Sequence, residues 1–234
     1  RFADAAGVVP GRTALDVGCG PGALTAVLVE RLGGDAVAAC DPSEPFVEAC
    51  RAAHPGVDVR TGRAEALPFA DAAFDLGLSQ LVLHFVAYPD AAVAELRRVV
   101  RPGGTIAANV WDFADGMEML RHFWDAALTL DPTAPDEARV LRFGGPGEIA
   151  SLFSTARLEQ VEETMLTVTA DYGDFAELWS GFCAGIGPAG SYCVSLDEGA
   201  RTALRHELFG RCGSPAGGFS LGATARSVTG RVPA

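Results

Sequence analysis

The chain has 234 residues, and 49% of them are hydrophobic, so it can bury a sizeable core without disulfides or metal ions. Thirty acidic residues against 18 basic ones, all of them arginine, give a formal net charge of −12, which argues against a nucleic-acid partner. The six cysteines form no zinc-ligand pattern and no apolar run is long enough to cross a bilayer, so we expect no metal, no membrane span and a cytoplasmic protein.

The amino-terminal half alternates short apolar segments with amphipathic helical segments. This pattern is typical of a parallel sheet with helices on both faces. Ser43 is predicted to cap a helix over 44–53 and Asp90 a helix over 91–100. Pro102-Gly103-Gly104 is predicted to end the second of these two helices. The predicted strands are 13–17, 36–40, 57–61, 74–79 and 105–111, and the predicted helices are 23–32, 44–53 and 91–100.

After Trp111 the pattern changes to longer helical segments and two further strands. Residues 116–157 and 174–212 have a helical pattern, the first with a proline-rich break and the second with a glycine-rich loop. Residues 158–172 and 219–232 have the pattern of strands. We expect these two strands to form an antiparallel edge of the sheet.

Three glycines, Gly18, Gly20 and Gly22, lie between the first predicted strand and the first predicted helix. Glycine permits unusual backbone angles and lets a ligand approach the backbone closely. The start of the helix adds free N–H groups and a positive dipole end, so we expect a carboxylate or phosphate group here. The pattern Gly18-x-Gly20-x-x-Ala23, with Asp41 after the second strand, also satisfies a relaxed dinucleotide fingerprint.

A longer stretch around this loop, LDVGCGPGALT (15–25), resembles motif I of the class I S-adenosylmethionine-dependent methyltransferases. Three further segments resemble later parts of that family in the same order: CDPSEPFVEAC (40–50), GRAEALPFADAAFDLGLSQLVLHFV (62–86) and ELRRVVRPGGTI (95–106). The resemblance covers roughly residues 12–111 and points to the small-molecule, ubiquinone/menaquinone-methylase-like branch.

The resemblance implies an α/β fold with a Rossmann-like, doubly wound, seven-stranded sheet, mostly parallel with an antiparallel edge strand. Because no linker or disordered tract divides the chain, we expect a single domain over residues 1–234, with helical insertions at about 113–145 and 174–213 that cap the substrate.

The same resemblance implies that the chain binds S-adenosylmethionine and releases S-adenosylhomocysteine. Asp41 would accept hydrogen bonds from both ribose hydroxyls, and Pro42 and Phe46 would pack near the adenine ring. The implied cofactor-binding residues are Asp16, Gly18, Cys19, Gly20, Pro21, Gly22, Asp41, Pro42, Ala64, Glu65, Ser79 and Gln80.

Arg63 departs from the family pattern, because many relatives carry an Asp there whose carboxylate accepts the adenine amino group. An arginine only donates hydrogen bonds, so Glu65 or a backbone carbonyl takes over, or the amino group faces water. His84 follows the fourth strand and is the candidate general base, since histidine near neutral pH can take a proton from a hydroxyl or amine. A packing role is the alternative for His84.

The expected function is methyl transfer, by in-line displacement, to an O, N or C atom of a small-molecule acceptor. Large aromatic residues in the helical insertions favour an aromatic or hydrophobic acceptor. Two alternatives remain: an NAD(P)-dependent oxidoreductase that uses the same glycine loop, and a non-catalytic S-adenosylmethionine-binding protein on the same fold.

Overall fold

All residues, from Arg1 to Ala234, are described in the computed structural model. Its strands are β1 (Ala14–Val17), β2 (Val37–Asp41), β3 (Asp58–Thr61), β4 (Phe74–Gln80), β5 (Val100–Trp111), β6 (Glu159–Tyr172) and β7 (Phe219–Arg231). Its α-helices are α1 (Phe2–Ala5), α2 (Ala23–Leu32), α3 (Glu44–Ala53), α4 (Pro89–Val99), α5 (Glu118–Leu130), α6 (Glu137–Val140), α7 (Glu148–Thr155), α8 (Phe175–Cys183), α9 (Gly187–Ser195) and α10 (Glu198–Arg211). None of these helices combines the length and the apolar character that crossing a bilayer requires.

The strands form one seven-stranded sheet in the order β3-β2-β1-β4-β5-β7-β6. Strands β1 to β5 pair in parallel. Strand β7 runs antiparallel to β5, because Asp112 N–H donates to Thr224 O near one end of the pair and Gly103 N–H to Val232 O near the other. The carboxyl ends of β1, β2 and β4 therefore meet at one edge of the sheet, where ligands bind in open α/β folds.

Strand β6 completes the antiparallel edge beside β7. The hydroxyls of Thr167 and Thr224 are hydrogen-bonded, and Ser220 Oγ donates to the carboxylate of Asp171. Along this pair, residue numbers rise on β6 while those of their partners on β7 fall, so the two strands are antiparallel. The predicted seven-stranded, mostly parallel sheet with an antiparallel edge is confirmed.

Helices cover both faces of the parallel strands, as a doubly wound sheet requires. Leu28 of α2 packs in one buried cluster with Leu76 and Leu78 of β4. Successive side chains of a strand point to opposite faces, so Gly77 faces the other side. A Cβ on Gly77 would lie 2.9 Å from Leu96 of α4, which places α4 on that second face.

The chain divides into two compact units. The first comprises Arg1–Val110, Pro146–Leu166 and Arg226–Ala234, and the second comprises Trp111–Gly145 and Thr167–Ala225. The two predicted insertions, 113–145 and 174–213, lie within the second unit. Their role as a substrate cap stays a prediction.

The second unit has its own aromatic core. Phe123 and Trp124 of α5 are buried, and the Phe123 ring stacks on Phe182 of α8 at 4.3 Å between centroids. Trp124 Nε1 donates to Glu137 Oε2 at 2.9 Å, so the indole satisfies a carboxylate that is itself 4% exposed. Burial raises the pKa of Glu137. The hydrogen bond from Trp124 lowers this pKa, but its effect is smaller than that of burial.

Two predicted features of α4 and β5 are wrong. Asp90 is not the cap of α4, because the helix begins at Pro89 and Tyr88 occupies the cap position. Proline suits that first helical position because its fixed φ is helical and its missing N–H has no partner there. Residues 102–104 are not a stop after the helix but part of β5, and Gly103 N–H donates to Val232 O, directly after β7.

The other local predictions agree closely with the structure. Helices α2 and α3 have the predicted bounds, and Ser43 occupies the cap position of α3, although its side chain makes no capping hydrogen bond. The helical segment predicted at 116–157 contains α5, α6 and α7, and the one at 174–212 contains α8, α9 and α10.

We expect the substitution Trp124→Phe to lower the free energy of unfolding by about 1–3 kcal/mol, because it leaves the buried Glu137 carboxylate without its donor. Urea denaturation measures this loss. Trp179→Phe is the matched control, because Trp179 packs on the same cluster and has no hydrogen-bonded indole. Equal losses in the two variants would contradict this account of Glu137.

Candidate cofactor site

The loop between β1 and α2 has a shape that only glycine tolerates at its critical points. Gly18 has φ +75, and a Cβ there would lie 2.4 Å from Val82 Cγ2. Gly22 has φ +103, occupies the cap position of α2, and would meet the His54 ring at 2.8 Å. Both positions need the left-handed region and a close approach, so the loop backbone is exposed to whatever binds at the start of α2.

Asp41, at the end of β2, braces the same loop. Its Oδ2 accepts a hydrogen bond from Gly20 N–H at 3.0 Å, and its Oδ1 accepts one from Ser43 N–H at 2.9 Å. Asp41 as a whole is 7% exposed. Each carboxylate oxygen has a second lone pair, so Asp41 can still accept hydrogen bonds from ligand hydroxyls.

Asp16 is a buried acid behind the glycine loop with one unused acceptor. Thr25 Oγ1 donates to its Oδ2 at 2.7 Å, but no group of the protein donates to its Oδ1. Burial raises the pKa of Asp16 to about 7, although the hydrogen bond from Thr25 lowers it. Because a buried acceptor without a donor is costly, this oxygen is suited to an ammonium or another strong donor.

A small pocket lies beside the loop. Its volume is about 160 Å³, and its walls include Gly18, Pro42, Ala64, Glu65 and Val82. Small-molecule sites usually measure about 300–1,000 Å³, so this pocket suits one ring of a larger ligand. The structure therefore brings four of the predicted cofactor residues, from three separate segments, to one pocket.

The pocket contains the carboxylate of Glu65, close to Arg63, the residue that departs from the family pattern. Glu65 Oε1 is buried and accepts no hydrogen bond, while its ion-pair partner, Arg63 Nη2, lies 3.6 Å away. The Arg63 side chain is 67% exposed and that of Glu65 only 14% exposed. Phe46, predicted near the adenine ring, is 48% exposed and is not among the pocket residues.

The remaining loop and strand residues lie around the same edge of the sheet. Cys19 is buried and packs against α3, and burial raises the pKa of its thiol. Pro21 is exposed at the tip of the loop. Ser79 is buried. Its neighbour Leu78 is in register with Asp16 and shares its face of the sheet, so the side chain of Ser79 points to the opposite face from that of Asp16.

Gln80 ends β4 in register with Asn109 of β5 and is half-buried. It therefore lies at the predicted edge of the sheet. The backbone turns sharply after it, with Leu81 at φ +61.

His84 is buried in a single helical turn after β4. It is 6% exposed, and its ring centroid lies 4.0 Å from that of Phe85. Burial lowers the pKa of His84 to about 4, so the imidazole is neutral and weakly basic at pH 7. This environment favours the packing role over proton abstraction, and the catalytic role of His84 stays a prediction.

Three residues of the site were absent from the predicted set. His54 Nε2 lies 3.1 Å from Gly22 O, Val82 packs on Gly18, and Asn109 Oδ1 accepts from Leu81 N–H at 3.0 Å. No local pattern marks them, because each contacts a residue that is 28 or more positions away in the chain.

Comparisons with known proteins identify methyltransferases among the relatives of this chain. A family model described as a methyltransferase domain matches residues 15–108. The chain is 35% identical over 192 residues to malonyl-[acyl-carrier protein] O-methyltransferase of Dechloromonas aromatica, covering 81% of this chain and 66% of the relative. It is 38% identical over 103 residues to demethylmenaquinone methyltransferase of Renibacterium salmoninarum, covering 44% of this chain and 43% of the relative.

The chain spans about half the length of the curated relatives it matches, with shares from 33% to 66%. Among solved structures, it resembles Haemonchus contortus phosphoethanolamine N-methyltransferase 2 in complex with S-adenosyl-L-methionine, with a TM-score of 0.59 and 14% identity. That likeness covers 100% of this chain and 51% of the other, and it concerns the fold alone.

We expect Gly18→Ala to destabilise the protein more than Gly20→Ala. Both positions have positive φ, which costs an alanine about 1–2 kcal/mol. Only at Gly18 does the new Cβ also collide with the stiff Val82 side chain, at an added cost of about 1–3 kcal/mol. Urea denaturation of the ligand-free variants measures both effects, and equal losses would show that Val82 does not press on the loop.

The pKa of Asp16 predicts a pH dependence of stability. Its folded value of about 7 lies above its ordinary value of 3.8, so its contribution is full below pH 3.8 and is lost as the pH rises through 7. Asp16→Asn should remove the part of the decline in unfolding free energy that Asp16 causes between about pH 4 and about pH 7. The difference between wild type and variant isolates this residue from other titrating groups.

Denaturation curves across that pH range provide the measurement. Asp35→Asn is the control, because Asp35 is an exposed acid of the same unit and should leave the slope unchanged. A wild-type slope in the Asp16→Asn variant would mean that Asp16 titrates normally.

Proposed function

Because the chain belongs to the class I S-adenosylmethionine-dependent methyltransferase family, we propose that it transfers a methyl group from S-adenosylmethionine to a small-molecule acceptor. The observation that carries this proposal is the pair of buried carboxylates at the glycine loop. Asp41 braces the loop and keeps free lone pairs, and Asp16 keeps one acceptor oxygen unused.

The residues of the loop match the chemical groups of this cofactor. The unused oxygen of Asp16 is suited to the cationic amino group, and the lone pairs of Asp41 to the ribose hydroxyls. The free N–H groups at the start of α2 are suited to the carboxylate. The pocket of about 160 Å³ beside Ala64 and Glu65 is suited to the adenine ring.

The same charges disfavour the dinucleotide alternative. Asp41 could bind the ribose hydroxyls of either ligand, but the pyrophosphate of NAD would bring negative charge and no donor to the unused oxygen of Asp16. Like charges in a buried site are mutually destabilising, so this loop should select a ligand with a cationic end. The chain also has no lysine, so it lacks a Tyr-x-x-x-Lys pair for hydride-transfer chemistry.

S-adenosylmethionine, when bound, supplies a methyl group on a positively charged sulfur, and the neutral thioether that remains is a good leaving group. The protein's own residues then bind and orient the reactants and exclude water from them. The low basicity of His84 argues that proton removal is not its main task. An acceptor that is already nucleophilic, or one that loses its proton to water, is compatible with such a site.

We propose a hydrophobic or aromatic acceptor. Support comes from the name of one relative, a demethylmenaquinone methyltransferase, because demethylmenaquinone is aromatic and apolar. A cytoplasmic location is part of the same proposal, supported by six cysteines that are all free thiols.

Calorimetric titration with S-adenosylhomocysteine tests the proposal, with NAD as the control ligand. We expect binding of S-adenosylhomocysteine but not of NAD. Asp41→Ala should weaken it by about tenfold to a hundredfold, because a hydrogen bond to a charged group contributes about 1.5–3 kcal/mol. The control variant is Asp58→Ala, an exposed acid on the neighbouring strand β3.

Binding of NAD alone would overturn the methyltransferase proposal and favour the oxidoreductase. Binding of S-adenosylhomocysteine, with no methylated product from any acceptor in a broad metabolite screen, would favour the non-catalytic alternative.

A further inference from the structure

Leu81 has an unusual backbone conformation at the edge of the candidate site. It follows β4 directly and has φ +61, in the left-handed region. That region is disfavoured for leucine because Cβ comes too close to the following carbonyl oxygen. A residue in such a conformation persists only where its surroundings hold it there.

Asn109 of β5 supplies that hold. Leu81 N–H donates to two oxygens of this one residue, its backbone O and its side-chain Oδ1, both at 3.0 Å. Asn109 is 4% exposed, so these bonds are shielded from water. The side-chain oxygen is an additional acceptor at the point where the β4–β5 ladder ends.

Val82 links this turn to the glycine loop. Its two methyl groups would lie 2.4 and 2.8 Å from a Cβ on Gly18, and it lines the pocket together with Gly18. Valine has few side-chain rotamers, so the direction of its methyl groups follows the backbone at Leu81. The conformation of Leu81 therefore determines how closely Val82 packs against the loop.

We propose that Asn109 is a positioning residue for the cofactor, because its side chain holds Leu81 in the left-handed region and thereby holds Val82 against Gly18. The inference rests on the proposed function for the identity of the ligand. Asn109 acts through Leu81 and Val82 and is not assigned a contact with the ligand itself.

The test removes the side-chain acceptor and then removes the need for it. Asn109→Leu has a similar volume but no acceptor, and it should weaken S-adenosylhomocysteine binding by about five- to tenfold. Leu81→Gly takes up the left-handed conformation without steric cost. In the Leu81→Gly background, Asn109→Leu should change the dissociation constant by less than about twofold.

The measurements are calorimetric titrations at a temperature where circular dichroism shows every variant to be folded. If Asn109→Leu does not fold, Asn109→Ala replaces it in both backgrounds. Thr105→Val is the matched control, because Thr105 is a buried polar residue of the same strand that bonds to neither Leu81 nor Val82. It should leave the dissociation constant unchanged.

Hydrogen exchange in the ligand-free protein tests the link independently of the proposed function. Asn109→Leu should speed exchange at the Leu81 and Gly18 amides and not in the control variant. Faster exchange there supports the positioning role even if wild type fails to bind S-adenosylhomocysteine, a failure that would overturn only the proposed function. Unchanged exchange at Gly18, or an equal loss of affinity in both Leu81 backgrounds, would overturn the inference.

Discussion

The close approach of Val82 to the backbone of Gly18 is the constraint on which the candidate site depends. It leaves no room for a side chain at Gly18, so the chain leaves β1 in a conformation that only glycine adopts easily. Asp41 fixes the next glycine by accepting a hydrogen bond from Gly20 N–H, and His54 contacts Gly22 at the start of α2. The ends of β1, β2 and β4 thus determine the shape of one loop before any ligand arrives, which reduces the ordering cost of binding.

Charge then determines which ligand that loop can accept. The start of α2 attracts an anionic group, whereas Asp16 and Asp41 attract cations and hydroxyl donors. A ligand that carries a carboxylate, an ammonium and a ribose satisfies all three, and a dinucleotide does not. Burial raises the pKa of Asp16 to about 7, so a cationic ligand should favour the ionised form of this acid.

Local patterns were sufficient to predict much of the fold and the centre of the site. The bounds of α2 and α3 follow from hydrophobic periodicity and the glycines of the loop from the strand–helix boundary, whereas Asp41 was predicted from the motif and the family resemblance. The early part of β5 did not follow, because Gly103 and Gly104 are hydrogen-bonded to Val232, more than a hundred residues later. Val82 and Asn109 were not predicted as site residues for the same reason. An apolar residue and an amide acquire such a role only through contacts made in the folded chain. Phe46, an aromatic residue on an amphipathic helix, is 48% exposed, and its predicted place near the adenine ring stays a prediction.

The β1–α2 loop and the pocket beside Ala64 form the proposed binding site for S-adenosylmethionine. The most direct test of this proposal is the change in amide ¹H–¹⁵N chemical shifts of the labelled protein during titration with S-adenosylhomocysteine. We expect saturable shifts at the amides of Gly18, Gly20 and Gly22 and at those of Ala64 and Glu65, with none during titration with NAD. Shifts confined to residues away from the carboxyl ends of β1, β2 and β4, or shifts at the loop with NAD alone, would contradict it.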